Sequence, residues 1–173
     1  AAEGADAPPA GVPLSQAVFE GQQLMLEAYT QDLTPERPGV VDAYVLVIGL
    51  DADPAFGREA RETARVLSRR YDGLGRTVLL AAGEGAADAS IPNGSPDNLA
   101  IALAAIAARM DVKEDALVLY ATSHGNSDIG LTFRDGDQGF GVIGPPRLAA
   151  MLSDVGISNR LIMISACYSG VFV

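Results

Sequence analysis

Residues 116–125 read ALVLYATSHG: an unbroken apolar run, then Ser123, His124 and Gly125. A short continuous apolar run bounded by small and polar residues predicts a strand buried on both faces. Three other runs share this character, AYVLVIGL at 43–50, RTVLLA at 76–81 and RLIMISA at 160–166. The segments between them have helical spacing. FGREARETARVLSRRYDGLG (56–75) puts Ala60, Ala64, Leu67 and Tyr71 on one side, and Gly73 and Gly75 end it. SPDNLAIALAAIAARM (95–110) opens with Ser95 as N-cap and Pro96 at the first helical position. PPRLAAMLSDVG (145–156) is a further helix. Upstream, LSQAVFEGQQLMLEAYTQDL (14–33) spaces Leu14, Val18, Leu24, Met25 and Leu33 as one helical face, before the prolines of TPERPGVVDA. In DIGLTFRDGDQGFGVIG (128–144), the Asp135-Gly136 pair between alternating segments predicts a β-hairpin.

Strand, helix, strand, helix, strand, hairpin, helix, strand is the order of an α/β domain. It implies right-handed crossovers and a mostly parallel sheet with helices on both faces. One such domain, residues 14–173, follows an Ala-, Pro- and Gly-rich arm at 1–13 that reads as flexible. The formal net charge of −10 opposes binding to nucleic acid or to an anionic membrane surface. No apolar run is long enough to span a bilayer. The chain does not begin with methionine, and removal of an upstream leader would make it secreted or periplasmic.

In open parallel sheets ligands bind at the carboxyl ends of the strands. His124 follows the third strand run and Cys167 the fourth, and each is the sole residue of its type in the chain. A lone cysteine packs as a small hydrophobe more often than it reacts. Two such residues at the same edge of one sheet instead suggest a nucleophile and its base. Ser169-Gly170 should begin a helix whose dipole would stabilise a Cys167 thiolate. GLDADPAFG offers Asp51 and Asp53, which read as solvated loop carboxylates, and Asp135 and Asp137 read as an exposed acidic hairpin. AGEGAADAS lacks the lysine and the following helix of a phosphate cradle. Metal-ligand spacing is absent, so no cofactor or metal is expected.

ATSHG and ISACYSG resemble the two signatures of the legumain and caspase clan of cysteine peptidases, in which one strand ends in His-Gly and a later one in Ala-Cys. VLVIGLDADPAFGREARETARVL and DNLAIALAAIAARMDVKEDALVLYATSHG are most similar to the bacterial legumain-like branch, over about residues 40–173. The resemblance implies a caspase-like fold, with His124 as the catalytic histidine and Cys167 as the nucleophile. It also implies an oxyanion hole from the backbone N–H groups of Gly125 and Cys167. Arg58 resembles the basic residue lining the primary specificity pocket, and reads equally as a solvated surface charge. Phe56 stands near the place of an asparagine found in legumain-type relatives. Ser165 stands where legumains carry Glu and caspases Gln.

The implied activity is cysteine endopeptidase, cleaving peptide or protein substrates after Asn or Asp, with transpeptidation as a variant. The family's sheet continues past the cysteine. A chain ending at Val173 is therefore expected to be incomplete at the C-terminus: either the sheet continues into further strands, or the chain is cut after Val173 and its own C-terminal fragment stays bound as a second chain. Two rival readings are an inactive caspase-like binding or assembly module and a flavodoxin-like ligand-binding domain.

Overall fold

The computed structural model describes residues 16–83, 90–135 and 139–173. The arm at 1–13, Leu14, most of the Gly-rich loop, and Gly136 and Asp137 lie outside them. Helix α1 (Gln16–Thr30) is followed by β1 (Ala43–Gly49), α2 (Pro54–Arg70), β2 (Thr77–Ala81), α3 (Pro96–Ala107) and β3 (Ala116–Thr122). Then come β4 (Gly125–Asn126), β5 (Gly130–Arg134), β6 (Phe140–Ile143), α4 (Pro145–Asp154), β7 (Asn159–Ser165) and a 3-10 turn at Ser169–Phe172.

The main sheet is four-stranded and parallel, in the order β2-β1-β3-β7. Strict alternation splits its side chains between two cores. Tyr44, Leu46, Ile48, Leu117 and Leu119 pack with Leu26, Leu99, Leu103 and Leu148 on the face covered by α1, α3 and α4. Val45, Val47 and Val118 pack with Ala60 and Ala64 of α2 on the other. Helices thus lie on both faces, as the element order implies. The hairpin is β5-β6, with β4 added to give a small antiparallel sheet. Two residues of β4 carry too little pattern to be seen in sequence.

Several local expectations change. In α1 the buried residues are Leu26 and Thr30, while Leu24 is 68% exposed. Leu24 precedes Leu26 by two positions, about 200° around a helix, and so faces away from the core. Helix α2 begins at Pro54 because the Asp53 carboxylate accepts the Ala55 N–H. At its other end Asp72, not Gly73, takes the left-handed conformation, and Gly75 takes a second. Strand β7, expected to be buried, is the sheet's edge, and every one of its side chains is at least partly exposed. Among the described residues no helix is long and apolar enough to cross a membrane.

Candidate active site

The registers fix where the strands end. Thr122 of β3 lies opposite Ser165 of β7, so the two strands finish level and His124 and Cys167 each follow two residues on. The Ser123 N–H donates to the Ser165 carbonyl at 3.3 Å, carrying the ladder one step further. Beyond it the two segments stay in contact. A Cβ added at Gly125 would fall 1.8 Å from the Cys167 carbonyl oxygen and 3.1 Å from Ala166 Cβ. Gly125 is therefore set by lack of room, since any side chain would drive the histidine and cysteine segments apart.

The small sheet anchors the histidine. The Thr132 N–H and hydroxyl donate to the His124 carbonyl at 3.0 and 3.2 Å, and the Ser123 hydroxyl donates to the Thr132 carbonyl at 2.5 Å. The imidazole is exposed and meets the Phe56 ring edge-on, centroids 4.9 Å apart at 80°. Phe56 is in the first turn of α2, which places the imidazole on the α2 side of the sheet. Cys167 is a free, exposed thiol. Among the described residues neither side chain is hydrogen-bonded to the other, and the Cys167 backbone N–H has no hydrogen-bond partner. Such an N–H, beside the nucleophile, can receive an oxyanion.

The segment after Cys167 differs from expectation. No α-helix begins there. Tyr168 takes the left-handed conformation, φ 57°, and a single 3-10 turn follows. The thiol therefore has no α-helix dipole behind it, because the chain reverses immediately after the strand.

Of the substrate-binding candidates, Ser165 is half-buried in the row just below Cys167. Arg58 is exposed, without a hydrogen bond or ion pair among the described residues. It follows Phe56 by two positions and so leaves α2 on the flank away from His124. Asp51 is not solvated: it is 2% exposed, accepts the Asp53 N–H at 2.9 Å and lies 3.7 Å from Arg134 Nε. Asp135 is half-buried and accepts from Asn93 Nδ2 at 2.6 Å. Both carboxylates tie the hairpin to the strand ends.

Two contacts went unread in the sequence, Phe56 with His124 and Tyr120 with Glu59. The Tyr120 hydroxyl donates to Glu59 Oε1 at 2.5 Å. Burial pushes the phenol pKa up and the Glu59 carboxylate pushes it further, while hydrogen bonds with Ser165 and Thr63 act the other way. A lone tyrosine within an aliphatic strand was the available signal. Comparison of the chain with protein-family models and with curated proteins gives no match.

Proposed function

We propose that this chain is a cysteine endopeptidase of the legumain type on a caspase-like fold. The observation that carries the reading is the meeting of the sole histidine and sole cysteine at adjacent, level strand ends, with Gly125 against the Cys167 carbonyl. In the reaction, the Cys167 thiolate attacks the scissile carbonyl carbon and forms a C–S bond, and charge develops on the carbonyl oxygen. The Cys167 and Gly125 N–H groups receive that charge. Collapse breaks the C–N bond, and the His124 imidazolium protonates the departing amine. Neutral His124 then takes a proton from water, whose oxygen displaces the thiolate from the thioester and yields a carboxylic acid. An amine in place of that water gives transpeptidation. Asn or Asp on the acyl side is the specificity that the motif resemblance supports.

Cys167→Ala and His124→Ala are each expected to lower peptide hydrolysis at least a thousandfold while leaving the circular dichroism spectrum unchanged. Retained hydrolysis by either purified variant overturns the mechanism. A second reading, a non-cleaving binding module, is favoured by one feature: Phe56 gives His124 an apolar neighbour where a third polar member would orient it. Rapid alkylation of Cys167 at neutral pH, together with cleavage of a peptide library, supports the peptidase. Slow alkylation without cleavage supports the module.

A further inference from the structure

Helix α2 carries five arginines, at 58, 61, 65, 69 and 70, of the twelve basic residues in the chain, and only two glutamates. It therefore bears +3 in a protein of −10, and the remaining residues together bear −13. The helix packs chiefly on β1, β2 and β3, with Gly57, Ala60, Ala64 and Ser68 buried toward the sheet. Arg58, Arg65 and Arg69 are exposed on its outer side. At about 100° per residue, these three fall within about 40° of one another and form a stripe along the helix.

The stripe is poorly neutralised. Among the described residues Arg58 and Arg69 make no hydrogen bond or ion pair. Arg65 is paired only with Glu62 of the same helix. The other glutamate, Glu59, is turned to the Tyr120 hydroxyl on the sheet side. A solvated face balanced by its own helical pairs would carry a partner for each arginine, and this one does not.

The sign of the stripe calls for a polyanion, and the rest of the protein decides which. A nucleic-acid duplex or an anionic bilayer is wider than one helix, so its charge also meets the −13 around the stripe. A single extended peptide is narrow enough to escape this, because exposed charges act over a Debye length of about 8 Å in physiological salt. Arg58 and Arg69 are about 17 Å apart along the axis. About five residues of extended polypeptide cover that length. The position of the stripe suits a substrate. Helix α2 starts at the carboxyl ends of the strands, where Phe56 meets His124, and Arg58 stands in the same first turn.

Resting on the peptidase reading for the partner's role as substrate, we propose that the outer face of α2 is a docking surface for an acidic, extended segment of the protein substrate, outside the cleaved sequence. Arg58, Arg65 and Arg69 bind its carboxylates, and Glu62 weakens the hold by occupying Arg65.

Binding is tested first, without cleavage, by anisotropy of a fluorescein-labelled oligoglutamate peptide. Replacing Arg58, Arg65 and Arg69 together by Gln is expected to weaken it about tenfold. The same replacement of Lys113, Arg147 and Arg160, exposed cations off α2, changes the net charge equally and is expected to have little effect. Glu62→Gln is expected to tighten binding. No binding by the wild type, equal losses in the two triple variants, or tighter binding of a single-stranded oligonucleotide or of phosphatidylserine vesicles than of the peptide each overturns the assignment. Cleavage is then compared for two substrates sharing one library-selected sequence, followed by a flexible linker and either an oligoglutamate or an oligoglutamine tail. The glutamate tail is expected to lower KM several-fold with kcat unchanged, and the α2 triple variant to erase that advantage while cleaving the glutamine-tailed substrate normally. Cleavage without a tail advantage overturns the docking role while the peptidase reading stands. Binding at α2 without cleavage of any library peptide overturns the peptidase reading and leaves an acidic-peptide surface on a non-cleaving protein.

Discussion

Gly125 and Phe56 govern the site from opposite sides, one through space it leaves empty and the other through space it fills. Gly125→Ala would bring a methyl group against the Cys167 carbonyl, which is backbone and cannot step aside cheaply. Overpacking of this kind costs about 1–3 kcal/mol. A lowered melting temperature and loss of hydrolysis are expected together, checked by a thermal melt beside a peptide assay. Phe56→Ala removes the ring edge that limits the imidazole's rotation. Its expected signature is a several-fold drop in kcat with little change in KM, because the lost contact positions His124 and does not hold substrate. His124 and Cys167 were legible in the sequence because each is the sole residue of its type and stands straight after a strand, and Gly125 because it follows that histidine. Phe56, Glu59 and Tyr120 were not. Their roles depend on which flank of α2 meets which strand, and spacing alone leaves that rotation open.

At the scale of elements, the parallel strands, α2, α3, α4 and the hairpin follow from apolar runs, caps and turn residues. What escaped were rotations and edges: the true face of α1, the added β4, and the chain reversal in place of a helix after Cys167. Polar ties also escaped. At the amino ends of the strands Asp42 is buried, accepting from Arg37 Nε and the Arg37 backbone N–H at 2.9 and 2.7 Å, with Arg76 Nη2 at 3.4 Å. Its own N–H donates to Asp115. Hydrogen bonding from Arg37 holds the Asp42 carboxyl below the ordinary carboxylate range, although burial opposes this. A depressed folded-state pKa gives stability that is fully present above the unfolded value, near pH 4, and lost as pH falls through the folded one. Glu36 has the opposite sign. Burial, and then Asp115, Asp111, Glu114 and Asp42, raise its carboxyl, so protonating it favours the folded chain. Urea titrations of wild type and Asp42→Asn should therefore differ most at neutral pH. The gap should begin to close near pH 4 and vanish once pH has fallen through the depressed folded-state value.

For the molecule as a whole, the asymmetry of the sheet matters most. Strand β1 is central and buried, and β7 lies at the rim with Leu161 44% exposed. An apolar strand edge is a template for intermolecular pairing unless it is charged or covered. Leu161→Lys is expected to reduce light scattering on heating while shifting the melting temperature little, since the side chain is already partly in water.

The same arrangement orders events in time. Strand β7 enters the sheet beside β3, the last of four strands in chain order, and Cys167 hangs from its end. A peripheral strand opens at lower free energy than a central one. Such fraying would separate the thiol from His124 while most of the sheet persisted. Mild denaturant should therefore silence the protein before it unfolds, and the activity curve should fall at a lower urea concentration than ellipticity. Refolding should run in reverse, with native ellipticity regained first and competence last.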